Sequence, residues 1–231
     1  MAGKFNLTFT VGNTGPVSGQ APLLTPTLHP SDLFPTRVWQ ARLDPLAPHL
    51  RDWVEEVLRM RAATPEPAGR STRQGWNSQD MRVLEQACFT SLRHAIRAAC
   101  GSALREMRVD APDFELQSWI NLHDRGGFNF LHLHEGSLLS GSFYLHVPPG
   151  SGEFVFRDPR PGVIHNCVKG SQPNGHCDIS LTPSAGLLVL FPCWMEHYVE
   201  PHDSDEPRIT IAFNANAPGG RKPDLPHQEN P

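Results

Sequence analysis

The sequence predicts a mainly β protein, a sandwich or barrel with two helices packed against it. Three observations carry this expectation. From Phe114 onward, nine short apolar or alternating runs follow one another. Gly, Pro, Asp and Asn turns part them, and no helical period separates them. Upstream, two stretches repeat their apolar residues at the helical period. Proline fills 23 of the 231 positions, about twice the usual ~5%, as a chain of many turns requires.

Taken in order, Lys4 to Val11 reads as a short strand. Residues 12–30 follow as an irregular arm punctuated by Gly12, Gly15, Pro16, Gly19, Pro22, Pro26 and Pro30. A helix is expected from about Pro48 to Met60, where Leu50, Trp53, Val54, Val57 and Leu58 make one apolar face. Pro45 and Pro48 sit at its start, where proline is tolerated. Residues 62–75 read as a loop. A second helix is expected from about Ser78, a plausible N-cap, to Ala103. Its buried stripe is Met81, Leu84, Cys88, Leu92, Ala95 and Ala99, and its wet side Arg82, Glu85, Arg93 and Arg97. The nine runs are 115–123, 128–134, 138–147, 153–157, 163–168, 176–181, 187–191, 197–200 and 208–214. The polar tail, 217–231, is expected to be disordered. The organisation is thus an arm (1–32), a single domain (33–216) with a helical layer at 45–107 and a β-barrel at 114–214, and a tail.

Composition excludes several classes. Net charge is −4 and no Lys/Arg run marks a nucleic-acid or membrane footprint. No apolar stretch approaches the ~20 residues of a membrane span, and the first residues hold no apolar signal core. A cytoplasmic protein is expected, with its five cysteines as free thiols. Cys167 and Cys177, beside His165 and His176, are spaced too widely for the short C-x2-4-C of structural zinc.

Histidine is the informative residue. There are 12, and eight lie between His123 and His202. In a strand, residues two apart share a face, so Phe130, His132 and His134 are expected on one side, where two imidazoles can hold one metal. Alone, H-x-H is equally a polar outer face. A third histidine lies 63 residues beyond His134. It follows the buried-strand run Gly186-Leu187-Leu188-Val189-Leu190-Phe191-Pro192 and then Cys193-Trp194-Met195-Glu196-His197. In the last run, Ile209, Ile211 and Phe213 face one way and Arg208, Thr210, Ala212 and Asn214 the other. An arginine and a hydroxyl on one face can hold a carboxylate. A surface ion pair of Arg208 with Asp203, Asp205 or Glu206 is the simpler alternative.

Seven segments in order carry a resemblance. They are Leu33-Phe34-Pro35-Thr36, Gly75-Trp76-Asn77-Ser78, Trp119-Ile120-Asn121, and His132-Leu133-His134 through Leu139-Ser140-Gly141-Ser142-Phe143-Tyr144-Leu145. Phe156-Arg157-Asp158-Pro159-Arg160, Leu190-Phe191-Pro192 through His197, and Arg208-Ile209-Thr210 through Asn214 complete them. Together they resemble the 2OG-Fe(II) oxygenase family, relatives of the prolyl-4-hydroxylase-like group, over residues 33–214. The resemblance implies a double-stranded β-helix (jelly-roll, cupin-like) barrel behind an N-terminal helical layer. It implies Fe(II) and 2-oxoglutarate as cofactors, O2, and a small-molecule or peptide substrate.

The superfamily's usual iron site is two histidines and one carboxylate. Here His134 stands in the acid position. Three readings stay open: a triad of His132, His134 and His197; one near histidine plus His197 with water or substrate as third ligand; or a carboxylate recruited from Glu135, Asp124 or Glu196. The resemblance gives Arg208 the distal carboxylate of 2-oxoglutarate, with Thr210 adding a hydrogen bond. Tyr144, on a face with Ser142 and His146, can reach the same group or serve as core packing. Asn121, on a face with Trp119 and His123, can bond 2-oxoglutarate or a strand edge. Trp119, Arg157 and Arg160 are candidate substrate contacts near the mouth, although an Asp158–Arg bridge is an equal reading. His29, His49, His94 and His227 read as surface residues, and His123, His146, His165, His176 and His202 as polar strand faces or mouth lining.

The expected reaction is hydroxylation of an unactivated C–H bond of an amino acid, peptide or specialised metabolite, with succinate and CO2 as co-products. The alternatives are desaturation, cyclisation or halogenation with the same cofactors, a three-His cupin-like thiol dioxygenase without 2-oxoglutarate, and a non-catalytic binding barrel. Homodimerisation through the helical layer is compatible with the sequence.

Overall fold

A computed structural model describes residues 33–109, 111, 113–162 and 178–219. The expected strand 4–11, the arm, the run 163–168, the Cys167/Cys177 pair and most of the tail lie outside them. Every element below belongs to one compact unit that begins at Arg37.

The described strands are β1 (Trp39–Arg42), β2 (Thr72–Asn77), β3 (Glu115–His132), β4 (Leu139–His146), β5 (Phe154–Arg157), β6 (Asp178–Leu181), β7 (Leu187–Pro192), β8 (His197–Val199) and β9 (Arg208–Asn216). They form one curled sheet, all neighbours antiparallel, in the order β1-β7-β4-β9-β3-β8-β5-β6, with β2 paired to β3. With helices α1 (Leu50–Ala63) and α2 (Thr90–Glu106), this is the double-stranded β-helix architecture behind a helical layer.

The alternation along the strands builds two cores. Ile120 and Leu122 of β3, Phe143 and Leu145 of β4, Leu188 and Leu190 of β7, and Ile209, Ile211 and Phe213 of β9 join one buried cluster. Trp53 and Val57 of α1 and Leu92, Ile96 and Cys100 of α2 complete it. Each fully buried large apolar side chain here contributes on the order of 1.5–3 kcal/mol. The intervening residues face the barrel interior, where Tyr144, Phe154, Phe156, Leu187, Val189, Phe191 and Val199 form the second cluster.

Several elements differ from expectation. The runs 115–123 and 128–134 are one strand: β3 pairs with β9 through Glu115–His123, then with β8 through Asn129 and His132. It therefore crosses from one side of the barrel to the other. The crossing needs Gly126, at φ +81°, and Gly127, whose added Cβ would lie 2.5 Å from the Gln74 carbonyl oxygen and 2.8 Å from that of Asp124. The loop 62–75 runs into strand β2, which its polar sequence concealed. The second helix starts twelve residues later than expected. Ser78 is no helix cap: its hydroxyl donates to the Asp80 carbonyl (2.9 Å) and accepts from the Ile120 N–H (3.0 Å). Leu84 N–H likewise donates to Ser118 Oγ. The 78–89 backbone is thus held to β3 in two short 3-10 turns, Val83–Glu85 and Ala87–Phe89.

Candidate active site

His132 ends β3 and lies directly across from His197, the first residue of β8. His134 sits just past β3, its N–H donating to the Cys193 carbonyl (2.9 Å). One ligand atom from each of the three lies within 4.8 Å of the other two. This is the one such group of His, Cys, Asp or Glu among the described residues, and no carboxylate takes part. Of the acids considered, Asp124 binds Arg61 at 2.9 and 2.6 Å, and Glu135 is exposed at the rim.

The ring orientations are set by backbone carbonyls. His132 Nδ1 is 2.7 Å from the Phe130 oxygen and His197 Nδ1 2.9 Å from the Met195 oxygen. With Nδ1–H donating to those carbonyls, each Nε2 carries a lone pair that a metal can take, that of His132 lying 3.3 Å from the Ser71 hydroxyl. Burial disfavours the imidazolium form of both, and strongly that of His197, where the neighbouring His132 and His134 add to it. Phe154 and Phe191 pack on His197 with ring centroids at 5.2 and 4.7 Å. The site therefore presents neutral imidazoles in an apolar wall, a donor set and protonation state able to hold a divalent transition metal such as Fe(II).

The interior face of β9 continues the site. Thr210 has Asn121 across from it on β3 and Tyr144 on β4, Arg208 has His123, and Ala212 has Trp119 and Ser142. Arg208 is 1% exposed. Its guanidinium lies 5.2 Å from the Tyr144 ring centroid and 3.3 Å from His123 Nδ1. The acids that precede it in the chain are engaged elsewhere: Asp203 and Asp205 pair with Arg125, and Glu206 approaches His146 at 3.5 Å. No carboxylate pairs with Arg208 among the described residues, and Arg208 Nε, Tyr144 Oη and His123 Nε2 are buried without partners. Burial and the adjacent Arg208 push His123 down to about 3, and burial pushes Tyr144 up to about 12. All three groups stay in their pH-7 forms: one cation, two neutral donors. An enclosed cation beside orphaned donors fits a carboxylate.

The two halves share one small cavity, lined by His132, His134, His197, Asn121, Thr210 and Arg208 among others. The small side chains of Ala212, Gly141 and Ser142 leave this space open beside Trp119. A larger cleft leads outward past Trp119, His134, Phe130, Gln117 and Asn214.

Some positions differ from the sequence reading. A register shift between Asn129 and His132 breaks the alternation, so Asn129 points inward with His132 while Phe130 turns to the outer cleft, 41% exposed. Arg157 and Arg160 line neither cavity. Arg160 binds Asp158 at 2.9 and 2.5 Å, and Arg157 approaches Asp178 at 3.6 Å. His123 and His202 are fully buried rather than set on polar faces. Sequence reasoning missed Ser71 and Asn129. Ser71 Oγ lies 3.3 Å from His132 Nε2 and accepts from Asn129 Nδ2 at 2.9 Å. Neither stands in a motif; the irregularity in β3 turns Asn129 toward His132, and the β2–β3 pairing brings Ser71 there.

Residues 117–214 match the family model described as "Putative 2OG-Fe(II) oxygenase". No curated protein matches the chain in sequence. A prolyl-4-hydroxylase from Pseudomonas putida superposes with a TM-score of 0.61 at 17% identity, covering 79% of this chain and 93% of that one. The epimerase SnoN, solved with Fe3+, alpha ketoglutarate and nogalamycin RO, gives 0.57 at 18% identity, covering 85% and 88%. HygX from Streptomyces hygroscopicus, solved with nickel, 2-oxoglutarate and hygromycin B, gives 0.54 at 11% identity, covering 79% and 83%. At these identities the structures establish the shared fold.

Proposed function

The barrel of this chain, residues 117–214, is that of a 2OG-Fe(II) oxygenase, and from that premise we propose an enzyme that hydroxylates an unactivated C–H bond of an amino acid, peptide or specialised metabolite. Succinate and CO2 are its co-products. The observation that carries this reading is one cavity lined by both the three imidazoles and a buried guanidinium that no carboxylate among the described residues pairs with.

In this reading His132, His134 and His197 hold Fe(II). Arg208 holds the distal carboxylate of 2-oxoglutarate, with Thr210 and Tyr144 donating hydroxyl hydrogen bonds and Asn121 bordering the co-substrate. Bound together, Fe(II) and 2-oxoglutarate supply the oxidising chemistry: O2 is consumed, the co-substrate loses CO2 to give succinate, and one oxygen atom enters the substrate. The chain's residues prepare the site for this. The carbonyls of Phe130 and Met195 fix the imidazole tautomers. Phe154, Phe191 and Val199 keep bulk water from the metal face, which strengthens the pairing of Arg208 with its carboxylate.

The test is iron-dependent conversion of 2-oxoglutarate to succinate. The expected result is turnover with iron and its loss in Arg208→Ala, where removing charge-assisted bonds of about 1.5–3 kcal/mol each lowers 2-oxoglutarate affinity at least ~10-fold. Absence of both 2-oxoglutarate binding and decarboxylation with every substrate pool tried overturns the reading. A product gaining one oxygen supports hydroxylation; one losing two hydrogens or gaining chlorine assigns the other outcomes.

A further inference from the structure

The outer cleft carries one feature that the iron and 2-oxoglutarate residues do not use. Arg70 lines it and is partly buried. Its guanidinium sits 6.0 Å from the Trp119 ring centroid, and its Nη1 donates to the Ser78 carbonyl at 3.1 Å. No acidic side chain pairs with it among the described residues, whereas Arg37, Arg42, Arg61, Arg93, Arg125, Arg157 and Arg160 all have carboxylate partners. Trp119 in turn packs against His134, with ring centroids at 5.5 Å. Arg70, Trp119 and His134 therefore form one row from the cleft to the metal ligands.

From this row we propose that Arg70 selects the substrate: a molecule with a carboxylate held by the Arg70 fork and an apolar body laid over Trp119, its reacting carbon toward His134. The proposal rests on the oxygenase reading above and names its substrate class. Among the described residues, Arg70 is the one lysine or arginine lining the cleft, and Glu135 is the one acid. A single guanidinium matches a monoanionic, planar carboxylate, which it can grip through two parallel N–H bonds. A dianion such as a phosphate would face Glu135 with only one cation to balance it. The rest of the lining, Met81, Phe130, Leu133 and Trp119 with the amides Gln117, Asn214 and Asn216, suits an apolar body with a few polar groups.

The test uses the nickel-loaded protein saturated with 2-oxoglutarate, so that Arg208 is occupied. Probes are N-acetyl-phenylalanine, N-acetyl-leucine and N-acetyl-proline, each as the free acid and as its carboxamide, with affinity read by ligand-observed NMR. The expected result is a preference for acid over amide of ~10-fold or more, from charge-assisted bonds of about 1.5–3 kcal/mol. Arg70→Gln abolishes the preference, and Arg70→Lys, which keeps the charge without the fork, retains part of it. Equal binding of acid and amide in every pair, no binding of any probe, or a preference unchanged in Arg70→Gln overturns the proposal. Titration of 2-oxoglutarate into the same protein separates the two readings. If 2-oxoglutarate binds and no Arg70-dependent preference appears, the selection by Arg70 fails alone. If 2-oxoglutarate does not bind while that preference holds, the oxygenase reading fails and the carboxylate site stands.

Discussion

Arg208 is enclosed, charged and without a carboxylate partner among the described residues, an arrangement that costs stability in the free protein. Arg208→Met, close in volume and free of that cost, is expected to raise the unfolding midpoint by a few degrees, about 1 kcal/mol in stability, while abolishing 2-oxoglutarate binding. Calorimetry with and without the co-substrate checks both halves. The histidines set the pH response. His123, His132 and His197 are all held below the ordinary imidazole range, chiefly by burial. Above about pH 6.5 folded and unfolded states are both neutral at these positions. As pH falls below that, the unfolded chain takes up protons that the folded chain refuses, so stability is lost progressively down toward the folded values, about 3 for His123. Each histidine contributes a slope of up to ~1.4 kcal/mol per pH unit. Urea unfolding of the metal-free protein at pH 7, 6 and 5 is expected to show this decline, and a flat profile would contradict it.

At the scale of elements, β3 does the positioning. Its first half pairs with β9 and supplies Trp119 and Asn121; its second half pairs with β8 and supplies Asn129 and His132. Gly127 lies at the crossing, and a methyl group there meets two carbonyl oxygens of the backbone. Gly127→Ala is expected to destabilise by about 1–3 kcal/mol and to weaken metal binding, because His132 shifts away from His197. Gly101→Ala, in the middle of α2 with its nearest contact 3.4 Å away at the end of Arg105, is expected to stabilise by about 0.5–1 kcal/mol and to leave metal binding as it is. Denaturation midpoints and metal titration distinguish the two. These elements were unevenly legible. Strands β4 and β9 announce themselves by alternation with one apolar face, and β7 by an unbroken apolar run. Strand β2 has no such pattern, since Arg73 and Gln74 are exposed and its reason for being extended is its partner. The segment 78–89 carries apolar residues at helical spacing, but Ser78 and Ser118 bond the opposite backbone, and that competition is invisible without β3 in place.

Across the whole molecule, one face of the sheet meets the helices and the other encloses the site, so folding and ligand binding are linked. Metal and 2-oxoglutarate, each at a hundredfold over its dissociation constant, are expected to stabilise by about 2.7 kcal/mol apiece. The 2-oxoglutarate increment should vanish in Arg208→Met and the metal increment should fall sharply in His134→Ala; thermal shifts with each ligand alone and together read this directly. The sequence by itself determined which residues go inward and which outward along most strands, because strand periodicity is local and an odd–even choice is visible in any five residues. It also displayed the H-x-H pair, the distal histidine and the arginine–threonine pair as chemistry in search of a site. Tertiary structure alone decided the rest. Asp203, Asp205 and Glu206 precede Arg208 in the chain, yet the curl of β9 carries Arg208 into the barrel while Arg125 takes two of those acids at the surface. Asn129 comes to stand beside His132 through a bulge, and Ser71 through a neighbouring strand. Partner choice and burial are properties of surfaces that meet only after folding, and short-range pattern holds no record of them.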